Sequence, residues 1–259
     1  MTTTSDQSQA IIEFMGDVFG RSGRHKVVIG VSGGIDSAVA LTLLTKALPQ
    51  AVLLPVLLPY GDQDMSDAKL LLEHLNFPPE QILILNVEPI VAGALESLAP
   101  VMADADSGDQ LRQGNLRARA RMIVLFDLAH RHQALVCGTE NKSEKFLGYF
   151  TRFGDAASDF EPLSSLYKTQ VRQLAAELGV PEIIQRKEPS AGLWAGQTDQ
   201  AELGFSYEVA DKVLEQVIDL GVEEASEIEE RVELDLEVVE RVMARVKANH
   251  FKHQVPYVL

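Results

Sequence analysis

The sequence predicts an α/β fold, a parallel and doubly wound sheet with helices on both faces. Short apolar, β-branched runs alternate with helix-length segments four times between residues 27 and 137. Parallel neighbours need crossover helices of that kind, whereas antiparallel ones do not. Most of the runs are followed closely by a Gly or a Pro, so strand ends are marked as clearly as strand interiors. In such sheets ligands sit beyond the carboxyl ends of the strands, and the turns there are where chemistry is sought.

Taken in order, residues 1–10 (MTTTSDQSQA) read as a frayed start. Ile11, Ile12, Phe14, Met15, Val18 and Phe19 then repeat at helical spacing up to Gly20. Residues 27–31 form a buried strand, and 35–48 a helix closed before Pro49. Residues 51–58 (AVLLPVLL) form a second strand, with Pro55 expected at an irregularity or an edge because it donates nothing to a ladder. After the turn Pro59-Tyr60-Gly61, Asp64 or Ser66 caps a helix to His74 with Leu70, Leu71, Leu72 and Leu75 inward. A third strand over 82–87, a helix over 88–98, a longer helix over 109–132 and a fourth strand over 134–137 follow. Ser32, Tyr60 and Thr139 each come after a strand and so fall on one rim. Residues 141–162 read as a Gly- and aromatic-rich loop, 166–178 as a helix, and 187–200 as a second irregular stretch around Trp194. The remainder is helical and acidic, 207–220 and then 223–247 with a break near Leu234.

Bulk properties bound the partners. The 259 residues carry a formal charge of −15, which argues against a general nucleic-acid binder. The single cysteine, Cys137, excludes a disulfide within the chain and fits a reducing compartment; its plain reading is a buried structural thiol rather than a nucleophile. The polar start lacks a basic region and an apolar signal core, and no run approaches the ~20 apolar residues of a membrane span. A cytoplasmic protein with no membrane contact is expected.

The chemistry begins at residues 26–37, KVVIGVSGGIDS. Strand, small-residue turn and helix start place backbone amides and two hydroxyls toward an anion, and Asp36 can hold Mg²⁺ or orient the loop. The same residues would also serve a plain strand-to-helix turn. The turn lacks the Lys-Ser/Thr ending of a Walker A sequence and does not match G-x-G-x-x-G, which disfavours a nucleotide kinase or a standard dinucleotide fold. Within 111–131 lie Arg112, Arg117, Arg119, Arg121 and Arg131 against one acid, Asp127. This local reversal in an acidic chain suits a phosphate or carboxylate partner, or else surface salt bridges. Arg117 and Arg121 share a helix face and Arg119 points elsewhere. Between 145 and 162, Arg152, Asp155 and Asp159 lie amid Phe146, Tyr149, Phe150 and Phe153, which either stack on a ring or pack beneath the loop.

SGGIDS resembles the signature of the PP-loop ATP pyrophosphatases. GNLRARARM (114–122), GTENKSE (138–144), GYFTRFGDAASDFEPLSSLYKTQ (148–170) and KEPSAGLWAGQTD (187–199) narrow the resemblance to the ammonia-dependent NAD synthetases over about residues 25–220. The resemblance implies an adenine nucleotide alpha hydrolase-like, Rossmann-like fold and one synthetase domain over 1–259. Within that domain lie an N-terminal helix over 1–20 and a helical C-terminal region over 201–259, with no glutaminase domain. It implies a ligase that amidates deamido-NAD with ammonia, giving NAD, AMP and pyrophosphate through an NAD-adenylate, in a homodimer. For ATP it implies Gly30, Val31, Ser32, Gly33, Gly34, Ile35, Asp36, Ser37, Thr139, Lys168 and Ser190. For deamido-NAD it implies Asn115, Arg119, Arg152, Asp159 and Lys252. Mg²⁺ falls to Asp36 and Glu144, and catalysis to Asp155 and Lys168. The tail departs from the family's frequent His-Lys-Arg, reading Phe251, Lys252 and His253. Two other readings stand beside this one, a tRNA-modifying PP-loop enzyme and an adenine-nucleotide sensor without turnover.

Overall fold

The computed structural model describes residues 4–99, 110–194 and 196–257. Its centre is a parallel sheet of β1 (Lys26–Gly30), β2 (Leu53–Leu57), β3 (Leu83–Ile84) and β4 (Ala134–Cys137), in the order β3-β2-β1-β4. The chain moves outward from β1 to β3 and then returns to the far side of β1. The order therefore reverses between β1 and β4, and a crevice opens beyond their carboxyl ends. Phe160 adds a parallel bridge to Cys137, which runs the 155–160 loop along the β4 rim.

Alternation along each strand supplies two cores, as a sheet buried on both faces requires. Val27, Ile29, Leu53, Leu57 and Cys137 face one cluster with Met15 of α1 (Thr4–Ser22), Leu41 and Leu44 of α2 (Ile35–Ala47), Leu71 of α3 (Ser66–His74) and Leu174 of α7 (Lys168–Glu177). Val28, Leu54, Val56 and Val136 face the other, with Val91 of α4 (Glu88–Leu98) and Ala120 and Ala129 of α5 (Gln110–His132). Helix α2 is buried on nearly every side from Ile35 to Leu44. Each leucine buried there contributes about 2–3 kcal/mol, so the start of α2 is held rigidly where the first turn delivers it. A third cluster unites α6 (Lys142–Leu147), α10 (Tyr207–Leu214), α11 (Ala225–Val232) and α12 (Leu236–Asn249) through Leu147, Leu214, Ile228, Val239 and Val242.

Several expectations shift. Residues 4–10 are helical rather than frayed: burial of Ile11 and Met15 anchors α1, and Gln9 Nε2 donates to Glu13 Oε1 at 2.8 Å one turn on. The expectation for residues 1–3 lies outside the described residues. Pro55 sits inside β2, opposite Ile29 on the β1 side, at the one-sided stretch of the strand that β3 does not reach. The Leu57 carbonyl accepts from Leu85 N on the β3 side, so by alternation the Pro55 nitrogen faces that side too, where pairing starts only at Val56. Leu70 is 41% exposed, and the inward face of α3 is Ala68, Leu71 and Leu72. The 141–162 loop contains α6, capped by the Asn141 side chain accepting from Glu144 N. Short helices α8 (Glu182–Gln185) and α9 (Asp199–Leu203) interrupt the stretch beyond α7. The C-terminal break falls at Glu233, whose φ is 55°, ahead of the Asp235 cap of α12. Among the described residues no helix is long and apolar enough to cross a membrane.

Helix α6 ends at Gly148, φ 63°, where a Cβ would lie 2.2 Å from Asn249 Cβ. The tail grips this point: Arg245 Nε donates to Leu147 O at 3.1 Å, and Lys252 Nζ donates to the carbonyls of Gly148 and Phe150. Gly148→Ala combines left-handed strain with a steric clash and is expected to cost about 2–4 kcal/mol, read as a lower denaturation midpoint at unchanged slope.

Candidate active site

The crevice between β1 and β4 opens into a cavity of about 780 Å³. Its floor is the first turn. Ser37 Oγ donates to Gly34 O at 3.0 Å, and Gly34 N donates to Ser32 Oγ at 3.2 Å, so two hydroxyls lock the loop. Gly33, φ 80°, passes so close to α3 that a Cβ would lie 2.9 Å from Ala68 N. Helix α2 then starts at Ile35 with no side-chain cap, leaving its first amides for an anion.

Lys168 is 3% exposed and opens α7. Its Nζ donates to Asp36 Oδ2 at 2.6 Å and to Glu144 Oε1 at 2.7 Å. Asn141, fully buried, donates to Asp36 Oδ1 at 2.9 Å while its carbonyl oxygen caps α6. Burial alone would lower the Lys168 pKa, but the two carboxylates outweigh it and hold the ammonium charged. Burial and the Asp36 carboxylate push Glu144 upward, against the pull of Lys168. Asp199, 2% exposed, accepts from the Tyr207 hydroxyl at 2.9 Å, and its carboxylate also faces the cavity.

The second wall is the 148–161 loop. Asp155 Oδ1 accepts from Thr151 N at 3.0 Å, and Thr151 Oγ1 donates to Asn115 Oδ1 at 2.7 Å. Solvent reaches Asp155 through the cavity, yet protein encloses it closely enough that desolvation raises its pKa. Cys137 also touches the cavity; burial pushes its thiol up, away from the reactive thiolate.

Of the residues expected for ATP, all line the cavity except Gly33, which faces α3. Asn115 and Lys252 line it as well, and so do Asp155 and Glu144. Arg119, Arg152 and Asp159 lie outside the lining. Arg119 is exposed and donates to the Arg152 carbonyl at 3.3 Å, while Asp159 Oδ2 accepts from Val136 N at 2.7 Å. The arginine of α5 that reaches the cavity is Arg121, held by Leu58 O and Gln63 Oε1, each at 2.9 Å. Arg117 instead stacks 3.9 Å from the Tyr60 ring centroid. Sequence reasoning passed over Asn141, Glu140, Glu161, Asp199 and Tyr207. For Asn141 a signal existed, since N-K-S-E has the spacing of a helix cap with a glutamate three residues on.

Among the described residues no three His, Cys, Asp or Glu side chains cluster as a metal site. Two converging carboxylates remain, Asp36 and Glu144, which suits Mg²⁺, an ion that keeps waters and substrate phosphates in its octahedron.

A family model described as NAD synthase matches residues 7–256. An NH(3)-dependent NAD(+) synthetase of Pyrococcus horikoshii is 41% identical over 249 residues, spanning 96% of this chain and 91% of that protein. Among solved structures, an NMN synthetase from Francisella tularensis aligns with a TM-score of 0.83 and 32% identity, covering 100% of this chain and 99% of that one. An NH3-dependent NAD synthetase from Campylobacter jejuni aligns with a TM-score of 0.80 and 28% identity, covering 100% of both.

Beside the cavity, Glu161 accepts from Glu140 N at 2.9 Å and from Ser158 Oγ at 2.7 Å, while Glu140 Oε1 is buried without a partner. Burial, with the neighbouring carboxylates, pushes Glu140 up to about 8 and Glu161 up to about 7. The unfolded chain loses these protons near 4.5, so the folded state holds more protons across that window and stability falls as pH rises from about 4.5 to 8. Glu140→Gln should therefore raise the melting temperature at pH 8, by about 1 kcal/mol or more in stability, and change it little at pH 4.5. Melting curves of both proteins across that range check this.

Proposed function

The chain belongs to the NAD synthase family, and we propose that the cavity between β1 and β4 carries out its reaction with Lys168 as the central cation. The enzyme is a ligase that amidates deamido-NAD with ammonia at the expense of ATP. The observation that carries the assignment of roles is the Lys168 ammonium, held between the phosphate-loop carboxylate and Glu144 at the mouth of the α2 amides.

In the first step an oxygen of the nicotinate carboxylate attacks the α-phosphorus of ATP, and the bond from that phosphorus to the β-phosphate bridge breaks. A carboxylate is a weak nucleophile and both reactants are anions, so positioning and charge neutralisation dominate. Lys168, the amides at the start of α2 and the hydroxyls of Ser32 and Ser37 stabilise the departing pyrophosphate. Thr139 and Ser190 line the same wall and hold the nucleotide. Mg²⁺ on Asp36 and Glu144 supplies further charge neutralisation when bound. In the second step ammonia attacks the activated carbonyl, the carbon–oxygen bond to AMP breaks, and Asp155 accepts a proton from the attacking nitrogen. Its raised pKa suits that role, because a base nearer the working pH accepts the proton more readily. Asn115 and Lys252 orient the pyridine-bearing substrate. Arg119, Arg152 and Asp159 act from outside the lining, on a part of the dinucleotide that extends beyond it.

The helices over 201–257 work with the sheet as one unit, since Glu202, Arg245, Asn249 and Lys252 line the cavity. A homodimer is supported by α5, whose Leu111 and Ile123 are 58% and 52% exposed. The family match over 7–256 sets aside the tRNA-modifying reading. The likeness to the Francisella protein favours a second acceptor, the mononucleotide acid.

Protein mixed with ATP, Mg²⁺, deamido-NAD and ammonium should form NAD, AMP and pyrophosphate, with glutamine unable to replace ammonium. ADP as product, or AMP formed without any nicotinate nucleotide, would overturn the reading. Comparing kcat/KM for deamido-NAD and nicotinate mononucleotide decides the acceptor. Lys168→Met should lower kcat at least ~100-fold, because a desolvated charge contact to the leaving group is lost.

A further inference from the structure

A second buried carboxylate stands behind Lys168, outside the cavity lining. Asp211 of α10 is 6% exposed. Its Oδ2 accepts from Thr169 N at 2.9 Å and from Thr169 Oγ1 at 2.8 Å. Its Oδ1 accepts from Ser143 Oγ, and that hydroxyl accepts in turn from Lys168 N at 2.8 Å. Ser143 is fully buried and precedes Glu144 in α6, while Lys168 and Thr169 are the first two residues of α7. One carboxylate from the C-terminal region thus joins the helix that carries Glu144 to the helix that carries Lys168. Tyr207, one turn before Asp211, places its ring 5.2 Å from Lys168 Nζ and donates a hydrogen bond from its hydroxyl to Asp199.

From this geometry we infer that Asp211 is a positioning residue for the reaction, fixing the start of α7 so that the Lys168 ammonium stays registered against Asp36 and Glu144. The inference rests on the role given to Lys168 above. A helix start has unpaired amides and favours a negative charge, and Asp211 supplies both the acceptor and the charge. The local alternative, a cap from within α7, is incomplete, since the Tyr167 backbone at the N-cap is met by Gln170 Oε1 at 2.8 Å but the Lys168 and Thr169 amides are met only by Ser143 and Asp211. Desolvation raises the pKa of Asp211 and the three hydrogen-bond donors lower it, so the carboxylate is held in place by its partners rather than by solvent. Asp211→Asn keeps the shape but loses the charge and one acceptor oxygen, which frees Ser143 or Thr169 and lets α7 shift against α6.

The test is a double-mutant cycle of Asp211→Asn with Lys168→Met, read as the affinity for ATP with Mg²⁺ by calorimetry and as turnover, with melting temperature followed in parallel. Acting through Lys168, Asp211→Asn should weaken ATP binding about tenfold and lower kcat in the Lys168 background, yet change ATP affinity less than about twofold once Lys168 is Met. KM for ammonium should stay within about twofold throughout, since Asp211 does not face the attacking nitrogen. Equal loss of ATP affinity in both backgrounds would overturn the inference and leave Asp211 a stabiliser of the fold alone. Lys168→Met with wild-type ATP affinity and turnover would instead sink the role of Lys168 itself. Should Asp211→Asn fail to fold, Ser143→Ala and Thr169→Val enter the same cycle, where additive losses would overturn the inference in the same way.

Discussion

A buried ammonium meets two half-buried carboxylates where Lys168 bridges Asp36 and Glu144, and the molecule is arranged to keep them together. Taking ions out of water costs several kcal/mol each, and the mutual attraction offsets that only with good geometry and satisfied lone pairs. Here the geometry comes from three elements: the turn after β1, the short α6 and the start of α7, with Lys168 132 residues from Asp36 and 24 from Glu144. Asn141 satisfies the second Asp36 oxygen and caps α6 with the same amide, so one side chain serves the helix and the charge cluster together. The sheet holds Asp36 through the buried α2, and the C-terminal helices hold Lys168 through Asp211 and Tyr207. Loss of Lys168 would leave two carboxylates facing each other without a cation, a cost of about 3–5 kcal/mol.

The acidity of the site is the second constraint. Both substrates are anions, yet Asp36, Glu144, Asp155 and Asp199 all open onto the same cavity. The lining also carries cations. Lys168, Arg121 and Lys252 provide fixed positive charge within the lining, and the Asp36 and Glu144 carboxylates are already engaged by the Lys168 ammonium. Meanwhile Glu140 and Glu161 keep their protons well above the ordinary carboxylate range, so the wall near Asp155 is less negative than its composition suggests.

Local signals made much of this legible. The β1 turn and α2 could be read from KVVIGVSGGIDS because a buried β-branched strand, a small-residue turn and a buried helix follow one another without interruption. The long α5 and a break between α11 and α12 were also expected close to where they fall. Asp36 and Glu144 sit 108 positions apart, and no spacing rule joins them; the family resemblance linked them to a metal, and the fold added the ammonium between them. Asn141, Tyr207 and Asp211 escaped because their value lies in what they touch across 105, 39 and 42 residues of sequence, to Asp36, Lys168 and Thr169. Pro55 was legible only in part: the rule about proline in strands concerns which side of the strand its nitrogen faces, and only the register shows that this is the side β3 leaves unpaired.

The altered tail shows how the same constraint reaches the end of the chain. Lys252 directs its ammonium to the carbonyls of Gly148 and Phe150, the residues that lead from α6 into the Asp155 loop. The two positions that depart from the family's pattern pack on that loop as well. His253 lies 6.0 Å from the Phe146 ring and 5.7 Å from Phe150, and Arg152 stands 5.6 Å from the Phe251 ring. A phenyl ring and an imidazole therefore occupy places where a histidine and an arginine would add charge. In exchange His253 adds ring contact with Phe146 and Phe150, and Phe251 meets the Arg152 guanidinium, beside a loop that holds both Asp155 and Asn115's partner Thr151. Charge at this end of the cavity then rests on Lys252 and Arg245, both tied to backbone carbonyls of the segment they support. The tail thus fixes the wall that carries Asp155, as α10 fixes the helix that carries Lys168.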